Sequence, residues 1–248
     1  MRVVVLVIAT LVFSTPIFAQ EHYKIYSVEA PPLSMQHPET DYGRGIVLDA
    51  VLEAFRRLDI SARVEFIPWK RAQREVSMGR DAFILPLARI PEREQRFTWV
   101  APVMDLERSF ASLRSRVDSY KQARAELRSI GVGFGTAQYH LLLANGFSEQ
   151  QLVEILPGKG PSMLALGRID AWFNGTDETL WYWKRDQQIE PLLVGDAVAS
   201  NQLYLAASLD VDEALLESLN RKIVELQREG YIEMLKTRYL GGEVASPE

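Results

Sequence analysis

Eight side chains that could bind a small polar molecule fall where predicted strands end and helices begin. Seven are polar or charged and one is a tryptophan: Glu29, Trp69, Arg89, Arg93, Thr136, Gln138, Asn174 and Asp177. In open α/β sheets ligands bind outside the carboxyl ends of the strands, so these positions predict one polar cleft. Each residue taken alone is equally typical of a solvated loop, and Trp69 after Pro68 is also typical of a helix start packed on the core.

Signatures of catalysis and of metal binding are weak in this chain. The three histidines, His22, His37 and His140, are far apart, and there is no cysteine. We therefore expect no metal site and no thiol nucleophile. The glycines of residues 131–135 lie at a predicted strand-to-helix turn, but their spacing departs from the dinucleotide-binding fingerprint. No acidic residue ends the next strand, and we expect no cofactor.

Hydrophobic periodicity predicts strands and helices in alternation. The first part predicts strands at 23–28, 62–67 and 82–85, with helices at 46–58 and 69–78. The second part predicts strands at 129–134, 152–155 and 171–173, with helices at 136–144 and 162–166. A strand at 202–207 and helices at 212–228 and 231–236 follow. This order indicates two similar α/β halves.

Two short segments repeat one pattern across these halves. Residues 79–83 (GRDAF) match residues 167–173 (GRIDAWF) apart from two inserted residues. In both, a glycine predicts the end of a helix and the apolar residues predict the start of a strand. The dipeptide Asn174-Gly175 predicts a tight turn.

The N-terminus predicts export. A basic residue, Arg2, precedes the apolar run 3–13, and a small residue, Ala19, stands at a suitable cleavage point. The run is shorter than a membrane span and is followed by Pro16. We expect residues 1–19 to be a signal peptide and the mature protein to be periplasmic. The net charge of −5 argues against nucleic acid or an anionic membrane as a partner.

Several short segments share their order and spacing with a known family. They are Gly45-Ile46-Val47-Leu48-Asp49, Phe66-Ile67-Pro68-Trp69, Gly79-Arg80-Asp81-Ala82, Ile90-Pro91-Glu92-Arg93, Phe97-Thr98-Trp99-Val100-Ala101-Pro102, Gly135-Thr136-Ala137-Gln138, Gly167-Arg168-Ile169-Asp170-Ala171-Trp172-Phe173 and the stretch from Leu219 to Tyr239. The chain thereby resembles the periplasmic solute-binding proteins that serve amino-acid ABC importers, such as the histidine-binding and lysine/arginine/ornithine-binding proteins. The resemblance covers nearly all of the predicted mature chain.

The resemblance implies a two-lobed α/β fold of the type II periplasmic-binding-protein kind, with a hinge of two crossing segments. Lobe 1 would comprise residues 20–108 and 203–248, and lobe 2 residues 109–202. It also implies that Arg93 clamps a carboxylate of the ligand, since a guanidinium presents two parallel donors. Backbone N–H groups at residues 136–138 would assist at a helix start.

The chain departs from the amino-acid-binding pattern at three positions. Alanines stand at two positions that usually carry hydroxyl groups, Ala88 and Ala137, and Gly175 stands where an aspartate usually binds the ammonium group. Asp177 or Glu29 would have to replace that aspartate. The sequence therefore leaves open whether the ligand is an α-amino acid.

Together these features predict a monomeric, non-enzymatic binding protein for a small carboxylate-bearing solute. Its partner would be an inner-membrane ABC permease or a membrane sensor. The first alternative is a freestanding sensory binding protein. The second is an enzyme resembling the dehydratases of prephenate-like acids, with Glu29 or Asp177 as the proton donor.

Overall fold

A single mixed β-sheet runs through the whole fold of this computed structural model, which describes residues 23–37, 43–187 and 190–241. The strands are β1 (Tyr23–Ser27), β2 (Ala62–Phe66), β3 (Ala82–Ala88), β4 (Thr98–Ser112), β5 (Ile130–Gly133), β6 (Leu152–Ile155), β7 (Ala171–Gly175), β8 (Leu193–Val194) and β9 (Ala199–Ala207). Their order across the sheet is β2-β1-β3-β9-β4-β7-β5-β6, and β8 pairs with β4. The predicted signal peptide, residues 1–19, lies outside the described residues.

Eight helices in the described residues cover this sheet. They are α1 (Ile46–Arg57), α2 (Trp69–Met78), α3 (Tyr120–Glu126), α4 (Ala137–Ala144), α5 (Gly160–Ala165), α6 (Thr176–Arg185), α7 (Glu213–Arg228) and α8 (Tyr231–Leu240). None of the helices in these ranges combines the length and the apolar character needed to cross a membrane.

The first half of the sheet consists of β2, β1 and β3, which pair in parallel. Helix α1 buries the apolar stripe that its periodicity predicts, with Val47, Val51 and Phe55 inside. The ring of Phe55 meets that of Phe83 on β3 edge to face, with centroids 5.2 Å apart. Helices α7 and α8 close this core against α1. We call this part of the molecule the first half.

The second half consists of β7, β5 and β6, which also pair in parallel, with α3 to α6 around them. Its core is aromatic, and the rings of Phe110 and Phe173 lie 4.8 Å apart between centroids. The two repeated segments, residues 79–83 and 167–173, form the predicted helix ends and strand starts. Helix α2 ends at Met78 before β3, and α5 ends at Ala165 before β7, with Gly167 at φ 63° in the turn.

Two antiparallel strands, β4 and β9, join the halves. Strand β4 pairs with β9 from Thr98 to Arg108 and with β7 from Arg108 to Ser112. Strand β9 reaches β3 with its other edge. Each strand therefore passes from one half to the other, and Arg108 sits at the crossing.

The structure corrects several boundaries. The prediction of a turn at Asn174-Gly175 is wrong, because both residues belong to β7 and α6 begins directly at Thr176. Strand β9 begins at Ala199 rather than 202, and α5 begins at Gly160 rather than 162. The periodicity did not predict β4, α3, α6 or β8.

Candidate functional site

A cavity of about 100 Å³ lies between the two halves, at the carboxyl ends of the parallel strands. Both halves line it, as do β4 and β9, through Leu106, Arg108 and Leu203. Sites for drug-sized ligands have volumes of roughly 300 to 1,000 Å³, so this cavity suits a smaller solute.

Six of the eight predicted binding residues line this cavity: Glu29, Trp69, Arg93, Thr136, Gln138 and Asn174. They come from five different loops and strand ends. The sheet topology brings them together, since parallel strands direct their carboxyl ends to one edge.

The other two predicted residues lie elsewhere. The guanidinium of Arg89 is exposed, paired with the carboxylate of Glu94 through Nε at 3.0 Å, and lies near the rings of Trp99 and Tyr204. Asp177 is partly buried on α6 and does not line the cavity, and its charge interacts with those of Lys236, Glu107 and the neighbouring Glu178. Neighbouring residues on a helix point about 100° apart, and it is Glu178 that faces the cavity.

Arg93 is nearly fully buried, with 4% of its surface exposed. It ends the short 3₁₀ turn Pro91–Arg93, which follows β3. Its Nη1 donates to the Ala88 carbonyl at 3.0 Å, and its Nη2 donates to the Gly135 carbonyl at 3.1 Å. Burial lowers the pKa of Arg93 to about 10, and the positive charge of Arg108 acts in the same direction. The group is therefore charged at neutral pH and keeps further N–H donors for a ligand.

Arg108 is a second buried guanidinium in the cavity wall, 2% exposed. Its Nη1 donates to Asn201 Oδ1 on β9 at 2.8 Å and to the Leu106 carbonyl at 3.3 Å. Its Nε is buried and has no hydrogen-bond partner. Burial lowers the pKa of Arg108 to about 10, while the charge of Glu178 opposes the shift. Arg108 is absent from the predicted binding residues because β4 is not predicted from the hydrophobic periodicity.

Glu178 brings a carboxyl group into the same cavity and is 8% exposed. Burial raises its pKa to about 7, Arg108 opposes the shift and Asp177 adds to it. Within the described part of the chain, no ion pair at 4.0 Å or less involves Arg93, Arg108 or Glu178. Buried charges are normally paired, so these three groups lack the partners expected of them.

Gly175 explains how Glu178 reaches the cavity. A Cβ atom at Gly175 would lie 2.2 Å from Glu178 Oε2, closer than atoms can approach. The carboxyl group of Glu178 therefore occupies space that a side chain at position 175 would fill.

Neutral polar groups complete the second-half wall. Gln138 Nε2 donates to Asn174 Oδ1 at 2.9 Å, and both residues are buried. The hydroxyl of Thr136 donates to the Gly133 carbonyl at 2.7 Å, so its proton is engaged by the backbone. Helix α4 begins beside these groups at Ala137.

Glu29 and several aromatic rings also line the cavity. Burial raises the pKa of Glu29, although its Oε2 accepts from the Gln36 N–H at 2.8 Å. Burial also raises the pKa of Tyr182, with the charge of Glu178 next in effect. Trp69 and Trp172 present one indole from each half. Over the described ranges, no three His, Cys, Asp or Glu side chains are grouped to hold a metal ion.

The two-half sheet, the crossing strands and the cavity between them define a periplasmic-binding-protein-like fold. A sensor domain of a histidine kinase "with similarity to periplasmic binding proteins" superposes with a TM-score of 0.78 at 14% identity, covering 90% of this chain and 97% of that one. The predicted α/β fold is thereby confirmed.

Two further solved structures carry ligands. EhuB in complex with hydroxyectoine gives a TM-score of 0.77 at 20% identity, covering 88% of each chain. A substrate-binding protein of an ABC uptake transporter from Streptococcus pneumoniae with bound histidine gives 0.75 at 15% identity, covering 91% of this chain and 95% of that one. No protein-family model matches the chain, and no curated protein matches it significantly.

Proposed function

We propose that this protein is a solute-binding protein that captures a small carboxylate-bearing molecule between its two halves. The observation that carries the proposal is the pair of buried guanidiniums, Arg93 and Arg108, that line one cavity without an ion pair in the described residues. A buried arginine binds a carboxylate with two parallel hydrogen bonds, which compensate the loss of hydration of both groups.

Closure of the cleft follows from the same geometry. The lobes are residues 20–108 with 203–248 and residues 109–202, and β4 and β9 form the hinge between them. Arg93 of the first lobe donates to the Gly135 carbonyl of the second lobe, so its side chain forms a hydrogen bond across the cleft. A ligand that contacts both lobes shifts the balance towards the closed form.

Arg93 gives the direct test. A thermal-shift screen of amino acids, small organic acids and oligosaccharide fragments identifies a ligand, because binding to the folded state raises its melting temperature. By calorimetry, Arg93→Ala should then weaken binding by about 2 to 5 kcal/mol, since a buried charge pair loses one partner. Arg96→Ala is the matched control, because Arg96 is exposed three residues away. Equal affinities of wild type and Arg93→Ala would remove Arg93 from the site.

The cellular setting is part of the proposal. Export through residues 1–19 places the mature protein in the periplasm as a monomer, where it delivers its ligand to an ABC permease or reports it to a membrane sensor. The solved relatives include both an uptake-system protein and a sensor domain. N-terminal sequencing of the exported protein should begin at Gln20. Deletion of the partner gene would show whether the cell loses uptake of the ligand or loses the response to it.

One observation favours an enzyme as the second candidate. Glu178 has a pKa of about 7 in the cavity that holds Arg93, as expected of a proton donor near a carboxylate clamp. Incubation of the protein with cyclohexadienyl and simpler hydroxy acids tests this. A binding protein returns its ligand unchanged, whereas a dehydratase releases water and leaves an alkene from a simple hydroxy acid or, with loss of CO2, an aromatic ring from a cyclohexadienyl acid.

A further inference from the structure

We infer that the ligand is a short dicarboxylate, bound at one end by Arg93 and at the other by Arg108 together with a protonated Glu178. This inference rests on the proposed function and specifies its ligand. It follows from two features of the cavity: two separate positive charges that need partners, and one acidic side chain beside only the second of them.

The two buried guanidiniums of Arg93 and Arg108 need two negative charges to neutralise them. Both guanidiniums are at least nine-tenths buried, both line the cavity, and each interacts unfavourably with the charge of the other. The Nε of Arg108 lacks any acceptor. One carboxylate at Arg93 would leave Arg108 buried and uncompensated, which is costly in a medium of low polarity. A second carboxylate on the same molecule removes that cost.

Glu178 is placed to share a proton with this second carboxylate. It lies close enough to Arg108 for their charges to interact, yet the two form no ion pair within 4.0 Å. The gap between them is where a ligand group would accept from the guanidinium and also meet the carboxyl group. Two ionised carboxylates repel at hydrogen-bond distance, whereas a carboxylic acid donates to a carboxylate in a strong, short bond.

The groups around Glu178 favour its protonated form. Arg108 approaches from β4, and Asp177 and Tyr182 flank it on α6. Strand β7 contributes only the neutral Asn174 and Gly175, and α5 (Gly160–Ala165) contains no titratable side chain. Glu29, which also interacts with Tyr182, adds a further acid to the cavity. Burial and the charge of Asp177 oppose the ionisation of Glu178, and the charge of Arg108 favours it.

A ligand ammonium group fits this end less well. An ammonium group would bind an ionised Glu178, but the buried positive charge of Arg108 would repel it. The cavity therefore distinguishes a second anion from a cation at this position.

Calorimetric titration of the full mature chain with matched probes tests the inference. The dicarboxylates are malonate, succinate and glutarate, the single-charge controls are the monoamides succinamate and glutaramate, and the zwitterion is L-glutamine. The variants are Arg108→Gln and Glu178→Gln, with Glu217→Gln as control, because Glu217 is exposed on α7 and does not line the cavity. Circular dichroism confirms that each variant folds.

The expected pattern has three parts. At least one dicarboxylate binds about 30-fold or more tightly than its monoamide, and Arg108→Gln removes that preference. Wild-type affinity for the dicarboxylate falls roughly tenfold from about pH 6.5 to about pH 8, since Glu178 must take up a proton on binding. Glu178→Gln, which cannot ionise, keeps the affinity and loses the pH dependence, and Glu217→Gln behaves as wild type.

Two results would overturn the inference while leaving the proposed function intact. One is monoamides or L-glutamine binding as tightly as the dicarboxylates. The other is loss of binding in Glu178→Gln, which would show that an ionised Glu178 pairs with a cation. Failure of the folded wild type to bind any dicarboxylate, while a carboxylate from the thermal-shift screen binds, would also overturn the inference alone. Failure to bind any carboxylate in either experiment would overturn the proposed function itself.

Discussion

Glu178 imposes a free-energy cost on the unliganded fold that depends on pH. Its pKa is about 7 in the folded protein against an ordinary 4.5, so its contribution to stability is fully present below pH 4.5 and is lost as the pH rises through about 7. The loss amounts to about 3 kcal/mol when the pKa difference is converted at about 1.4 kcal/mol per pH unit. An uncharged amide at position 178 avoids this loss of stability.

We therefore expect Glu178→Gln to gain stability over the wild type as the pH rises. Urea unfolding at about pH 4.5 and about pH 8 should show the difference in free energy of unfolding growing by up to about 3 kcal/mol in favour of the variant. Glu217→Gln, on the exposed side of α7, is the control and should change little. A pH-independent difference for Glu178→Gln would mean that its carboxyl group titrates normally.

For single residues, the sequence predicts which positions lie near the cavity better than it predicts the direction in which their side chains point. Arg93 and Gln138 were found because strand ends meet at one edge of a parallel sheet. Asp177 is predicted because it lies two residues after Gly175, where the resemblance expects an ammonium-binding aspartate. In the structure α6 begins at Thr176, and neighbouring helix residues point about 100° apart, so Glu178 lines the cavity instead. Arg89 was chosen because it follows β3, but an exposed carboxylate at Glu94 holds it outside the cavity.

Helix α2 and the turn between β5 and α4 contact each other across the cleft. The Gly135 carbonyl accepts from Gln73 Nε2 at 3.1 Å as well as from Arg93, and Gln73 is buried. Gly135 has φ 73°, which lets this carbonyl point towards α2 without strain. The contact joins the two halves, so we expect it to stabilise the closed form of the cleft.

We expect Gln73→Leu to weaken ligand binding by about 1 kcal/mol, the usual worth of one hydrogen bond, without touching the cavity wall. Lys70→Met is the comparison, because the Lys70–Glu154 pair also joins the two halves, at 3.7 Å, but is exposed and worth less. Calorimetry measures the affinities, and small-angle scattering of the unliganded variants measures the shift towards an open form. If Lys70→Met has the larger effect, the buried contact at Gly135 is not what holds the cleft closed.

The sequence failed to predict β4 and α6 for two different physical reasons. Strand β4 is buried on both faces along its last five residues, so its apolar and polar residues do not alternate there. Helix α6 was missed because Asn174-Gly175 is typical of a turn, whereas here a strand runs straight into a helix. The elements with one exposed face, such as α1 and α7, were predicted to within about two residues.

The molecule as a whole is held together by hydrogen bonds that continue from one half to the other. Strand β4 pairs first with β9, with two register shifts between Trp99 and Met104, and then with β7, so neither half has an independent sheet edge at the hinge. The sequence predicted two halves from repeated strand–helix units. It did not predict their shared sheet, because pairing between strands a hundred residues apart leaves no local pattern.

Thermal unfolding should consequently be a single transition, with equal calorimetric and van't Hoff enthalpies. Differential scanning calorimetry of the mature protein tests this, and a saturating ligand should raise the one melting temperature. Two resolved transitions, only one of which responds to ligand, would show that the halves unfold separately.

The indoles of Trp69 and Trp172 have a practical consequence for work on this protein. One belongs to each half, both are buried, and both line the cavity. Their ultraviolet emission depends on local polarity and on nearby quenching groups, and both of these change when a solute enters and water leaves. Occupancy of the cavity should thus be readable from the intrinsic fluorescence of the unlabelled chain, with Trp69→Phe and Trp172→Phe assigning the signal to one wall or the other.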